Sequence, residues 1–198
     1  MVQAWIAVSA VSWLGSSAWT VALAWVAART FPPAQAGLVV AVATIPQAVF
    51  TLPGGVVADR YDTRRVMAVG QVTSTAILLT AAALWGHVDS LGLLLSTGAG
   101  FGTVTGLTQP AGVTLARQQV ATDDLGTVAG WNQVASRLAR LAGAPLGAWL
   151  VTTRAGMPAV MVVDAATFLA ATIVLLWVVH PRYELHDPHP EPWRAALG

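Results

Sequence analysis

Gly54-Gly55-Val56-Val57-Ala58-Asp59-Arg60-Tyr61-Asp62-Thr63-Arg64-Arg65 is the densest block of charge in the chain, and apolar runs flank it on both sides. Upstream, no charged residue lies between Arg29 and Asp59, a stretch longer than the roughly 20 residues a membrane-spanning helix needs. Downstream, apolar character resumes at Val66 and continues to Gly86. The block therefore reads as a short polar connection between two membrane helices. Its three arginines put it on the cytoplasmic side, because Lys and Arg concentrate at that face.

Composition points the same way. Of 198 residues, 56% are hydrophobic and 10% charged, a ratio foreign to ordinary soluble domains. The formal net charge of +1 and the lack of aromatic-basic interleaving give no reason to expect a nucleic-acid partner. All ten basic residues are Arg, and there is no Cys, so disulfides, thiolate metal sites and cysteine nucleophiles are excluded. The first apolar run starts within a few residues of Met1 and reads as a retained span.

Working outward from the block, the chain divides into a bundle over residues 1–179 and a Pro-, His- and acid-rich tail or linker over 180–198. Six spans are expected, at about 4–28, 36–57, 66–85, 91–108, 125–152 and 157–179. Arg29 to Gln35 forms an outer turn, and Gly86 to Ser90 a tight outer loop containing a solvated His87. Pro46 and Pro53 are expected to kink the second span. Gly98, Gly102 and Gly106 fall four apart, a strip where another backbone can approach closely and through which two copies could associate. A polar connection is expected at about 111–124, with Thr122 or Asp123 capping the fifth span. Arg60, Arg64, Arg65, Arg117, Arg182 and Arg194 then lie inside, and Arg29 and Arg154 outside. This balance places both termini in the cytoplasm and the chain in the inner (plasma) membrane, with the lipid bilayer as its first partner.

Chemistry follows from the cost of polar groups inside the bilayer. In the first span Ser9, Ser12, Ser16 and Thr20 share one face, and Trp13 lies mid-span. Two readings are open for this face: close helix packing with hydroxyls bonded to carbonyls, or a solvent-accessible cavity wall. Arg137, Arg140 and Asp164 are candidate functional charges, since each costs at least about 2.5–3.5 kcal/mol near the bilayer centre. Arg137 can instead snorkel to the interface. By helical rise, Arg140 lies roughly 18 Å and Asp164 roughly 10 Å below the outer ends of their helices. An extended Arg140 can bridge that difference if the two helices are neighbours. Such an ion pair would favour the charged carboxylate, and burial without it the protonated form, a switch able to couple proton movement to a transport cycle. Asp59 and Asp62 make a poor metal pair beside three guanidinium groups, and His180, His186 and His189 lack finger-type spacing. No catalytic constellation appears within the spans, so no enzyme activity, cofactor or metal is expected.

The order Gly55-x-x-x-Asp59-Arg60-x-x-x-Arg64-Arg65 resembles the loop signature that follows the second helix in the major facilitator superfamily. Tyr61-Asp62-Thr63-Arg64-Arg65 looks most like the branch of enterobactin and macrolide exporters, where Arg is common at the place of Thr63. The run Arg137 to Ala148 is similar to that branch's fifth helix, with Gly143-Ala144, Pro145 and Gly147-Ala148 in the region of its Gly-Pro-x-x-Gly-Gly export element. Asp164 to Leu169 resembles its sixth. Ser96 and Thr97 stand where many proton-coupled relatives carry an Arg, and Ser16 follows Gly15 where an acidic residue often does. Asp164 is thereby the main protonatable candidate. The resemblance implies an all-α integral membrane fold of six transmembrane helices, one half of a major facilitator fold. It implies export of a small amphiphilic substrate by alternating access, with Gly55, Asp59, Arg60, Arg64 and Arg65 as a conformational gating loop. Because the family places substrate between two six-helix halves, a second half is implied, either a C-terminal half or a homodimer partner. A non-transporting fragment or membrane scaffold retaining the fold is the competing expectation.

Overall fold

The computed structural model describes residues 2–117 and 125–177, with side chains over 6–115 and 126–177. It contains six helices: α1 Val2–Thr30, α2 Pro33–Arg60, α3 Thr63–Leu84, α4 Ser90–Arg117, α5 Leu125–Thr152 and α6 Gly156–Trp177. No strand occurs among the described residues. The expected tail, the proposed Thr122 or Asp123 cap, the histidines beyond residue 179 and the last two residues of the sixth span lie outside the described residues.

The α1–α2 and α2–α3 turns are shorter than expected, two residues each, and the helix starts have local causes. Only Phe31 and Pro32 separate α1 from α2, because Pro33 opens α2 with its fixed φ at a position whose N–H needs no partner. Asp62 accepts a 2.9 Å bond from the Arg65 amide and caps α3. Asp89 does the same for α4, accepting a 2.7 Å bond from Gly92 N. Gly86 makes the preceding turn at φ +82°, where a Cβ is disfavoured. α2 continues past both Pro46 and Pro53.

The largest departure is α4, which runs through Pro110 to Arg117 in place of ending near residue 108. Ala111 and Leu115 are fully buried, Leu115 in a small cluster with Leu175, Met67 and Ala68. That packing outweighs one lost backbone bond. Among the described residues, five helices are long and apolar enough to cross a membrane. The fifth expected span, α5, falls short of that measure because Asn132, Gln133, Arg137 and Arg140 interrupt it.

α1 lies between α5 and α6, α2 packs chiefly on α4, and α3 bridges α4 and α6. Exchanging α1 with α4, α2 with α5 and α3 with α6 maps these pairings onto one another. Because α1 and α4 run in opposite directions, the bundle is two three-helix units of inverted topology. Trp19, Leu78, Leu94, Met157, Val160 and Met161 fill its centre. Phe101 links the units, 6.0 Å from the Trp19 ring and 5.7 Å, edge-on, from Phe168.

Helices that gain nothing by leaving lipid for each other associate through close packing of small residues. The Gly98–Gly102–Gly106 strip works this way, but inside the chain. A Cβ at Gly98 would lie 3.2 Å from Ala43 Cβ, and one at Gly106 would lie 2.5 Å from Gln47 O, both on α2. Gly102 likewise meets Ala43 O. The strip is therefore filled by α2, and the expected association of two copies through it has no surface left to use. Gly143 and Gly147 of α5 seat against Leu14 O and Ala18 O of α1 in the matching interface.

Candidate functional site

The Gly54–Arg65 block is anchored from two directions. Asp62 fixes the first turn of α3 as described, and Thr63 beneath it is buried. Arg64 reaches across to the end of α6, donating from Nε to Leu175 O at 3.0 Å and from a terminal nitrogen to Leu176 O. A guanidinium there makes a forked, charge-assisted contact with two successive carbonyls. Asp59, Arg60 and Arg65 are exposed and form no ion pair among the described residues. Of the two glycines that open the block, Gly54 packs on α4, a Cβ there lying 2.7 Å from Gly106 O, whereas Gly55 faces open space.

A second group of polar side chains lies along α6. Thr75 of α3 donates to Ala165 O at 3.5 Å, and Thr172 donates to Gln71 Oε1 of α3 at 3.1 Å. On the α1 side, Ser12 approaches Thr167 O at 3.5 Å. Asp164 is 0% exposed; its Oδ1 accepts from Thr167 Oγ1 at 3.3 Å and its Oδ2 has no partner. Gly15 presses on this pair, since a Cβ would stand 2.5 Å from Asp164 Oδ1 and 2.6 Å from Thr167 Oγ1.

The expected Arg140–Asp164 ion pair is not formed. α1 stands between the two helices, with Gly15 turned to Asp164 and Ser17 to α5, where the Ser17 hydroxyl donates to Arg140 O at 2.8 Å. Arg137 and Arg140 are both exposed and bond to no carboxylate among the described residues. Asp164 is sealed against α1 while Arg140 is exposed on α5, so the contact between α5 and α6 does not bring the two side chains together.

The hydroxyl face of α1 divides in two. Ser9 is buried and Ser12 lies in the α1–α6 seam. Trp13 and Ser16 are half-buried and Thr20 is exposed, its hydroxyl returned to Ser16 O at 2.8 Å. Across the bundle Gln47 and Gln109 are joined at 3.3 Å on accessible surface. Sequence reasoning passed over Thr167, whose i,i+3 spacing from Asp164 was visible, and over Gly15 and Gln71, which carried no local signal. Among the described residues no three His, Cys, Asp or Glu side chains group into a metal site.

Long apolar helices packed through glycine, with charge gathered at the ends and one carboxyl sealed inside, define a polytopic membrane protein. The sequence matches the Major Facilitator Superfamily over residues 5–198, and the chain belongs to that family. It is thus a membrane transporter by family, and its six helices form one half of a major facilitator fold. No curated protein matches the chain.

Proposed function

We propose that the chain is one six-helix half of an exporter of small amphiphilic molecules, working by alternating access against a second half. The second half is either a C-terminal half or another copy. The chain sits in the inner (plasma) membrane with both termini cytoplasmic, and an ion gradient, protons in the first instance, drives it. The observation that carries this reading is the anchored block. Asp62 and Arg64 tie the α2–α3 connection to two helices, while Gly55 offers open space and Asp59, Arg60 and Arg65 present unpaired charge. A rigid edge of that kind suits a contact made and broken with a partner during the cycle. Trp13, Ser16 and Thr20 form part of this half's cavity wall. The two basic ends of the bundle support the orientation. Arg60, Arg64 and Arg65 gather at one end, and only Arg29 and Arg154 mark the other among the described residues.

The test is Asp59→Asn in a complete two-half transporter. Transport should fall while substrate affinity of the purified protein stays unchanged, since the last turn of α2, at the bundle's end, does not line a midplane site. A large affinity loss with normal cycling would overturn the gating role.

A further inference from the structure

Arg140 is a charge at mid-depth with nothing to neutralise it. α5 is 28 residues long, and Arg140 stands about 18 Å from its outer end and about 22 Å from the other. Lipid phosphates lie at the edges of a hydrocarbon core about 30 Å thick, farther from that depth than an Arg side chain extends. The guanidinium is exposed and bonds to no group among the described residues, and the same holds for Arg137 one turn away. No acid faces the pair. α1 carries only Arg29, the described side chains of α4 are uncharged, Asp59 sits in the last turn of α2, and Asp164 of α6 is sealed against Gly15. On α3 the charges are Arg64 and Arg65, both in its first turn.

The seam between α1 and α5 has two unlike flanks. Gly143 faces α1, where a Cβ would meet Leu14 O and Ser17 Cβ. At about 100° per residue, Arg140 falls about 60° to one side of Gly143 and Ala142 about 100° to the other. The Ala142 flank is apolar throughout: with Ala10, Val11, Leu14, Ala135 and Leu138 it lines a groove of about 360 Å³, a surface suited to lipid chains. The Arg140 flank is polar. Ser17 Oγ donates to Arg140 O at 2.8 Å, and Trp13 and Thr20 lie one turn to either side of Ser17, turned away from Leu14. Trp13 and Ser16 are half-buried, and the Ser16 hydroxyl has no partner among the described residues. A charge held at mid-depth belongs on a wall that meets water or a counter-charge, so this flank faces the cavity.

We propose that Arg140, with Arg137 one turn away and Trp13 across the seam, binds the head of an anionic amphiphile, so that the substrate carries a carboxylate, sulfonate or phosphate. The planar guanidinium offers two parallel N–H donors to such a head, and the accessible part of the Trp13 ring takes an apolar body. A cationic amphiphile is disfavoured, because both free charges on this wall are positive and no acid among the described residues faces it. The inference rests on the transporter reading for its purpose, but binding is measurable without transport.

The experiment uses the full chain in phosphatidylcholine nanodiscs and two fluorescent probes with the same rings: anilinonaphthalene sulfonate, which is anionic, and phenylnaphthylamine, which lacks the sulfonate. Energy transfer from the tryptophans reports binding, with empty discs as background. Arg140→Gln should weaken saturable binding of the sulfonate about tenfold or more, the loss of a charged hydrogen-bond partner, and leave the neutral probe unchanged. Arg140→Lys should recover part of the loss, and Trp13→Leu should weaken both probes. Arg65→Gln, which removes an exposed charge at the bundle's end, should affect neither. The melting temperature of Arg140→Gln should match the parent, since the side chain is exposed and unpaired. No saturable sulfonate binding, or equal weakening of both probes, overturns the anion site. So does an equal effect of Arg65→Gln, which would mean surface charge only. In a two-half transporter, Arg140→Gln that lowers the melting temperature but keeps sulfonate binding assigns Arg140 to a carboxylate of the second half and overturns its substrate role. A chain that binds the sulfonate through Arg140, yet moves no anionic amphiphile in a two-half context, overturns the transporter reading and leaves the site standing.

Discussion

Replacing Arg64 by Ala removes the side chain that joins the α2–α3 connection to the last turn of α6. Two hydrogen bonds from a charged donor are lost, one part-buried and one exposed. A hydrogen bond to a charged group contributes about 1.5–3 kcal/mol, and the exposed one counts for less. The expected loss is therefore about 3 kcal/mol, which lowers the melting temperature by about 6–12 °C for a chain of this size. The damage should be local at first. Hydrogen exchange would quicken in the last turn of α6, while the α1–α5 and α2–α4 interfaces keep their protection. Arg64→Lys should recover only part of the loss, because an ammonium lacks the planar fork that meets two carbonyls together. Arg65→Ala is the control: its side chain is exposed and unpaired, so the change should stay within about 0.5 kcal/mol. Equal melting of Arg64→Ala and Arg65→Ala would refute the assignment of Arg64 as the tie between the block and α6.

Gly147→Ala forces a methyl against Ala18 O and should destabilise the bundle by about 1–3 kcal/mol, read by thermal melting in detergent; Gly126→Ala, with open space around it, should not. Asp62→Ala removes the α3 cap and should cost about 1 kcal/mol, with Asp62→Asn largely restoring it in the same assay. The chain alone, reconstituted as a demonstrated monomer in liposomes, should insert without moving substrate, and robust flux would sink the two-half reading.

Much of this architecture is written along the chain because the bilayer judges each segment separately. A window of residues is either long and apolar enough to cross or it is not, so the spans around the Gly54–Arg65 block could be read before any contact was known. The ends of helices were less legible. α4 overran its expected stop because Ala111 and Leu115 find burial on distant parts of the chain, a gain no local window contains. α5 shows the converse, with Asn132, Gln133, Arg137 and Arg140 blurring a helix that nonetheless forms.

What only the tertiary structure decided is which helix meets which. Asp164 was marked by the cost of its charge, and Arg140 by the same cost, but their neighbours were not. α1 separates the two, so the carboxyl faces Gly15 in place of a guanidinium. The glycine strip of α4 announced a close approach without naming α2, and Arg64 announced a charge at the end of a span without naming the carbonyls of α6. The physical reason is that a membrane helix is apolar on nearly every side, so no stripe of hydrophobicity marks its packing face. Partner choice falls to the fit of small side chains against distant carbonyls and to a few buried hydrogen bonds, and those exist only once the chain has folded.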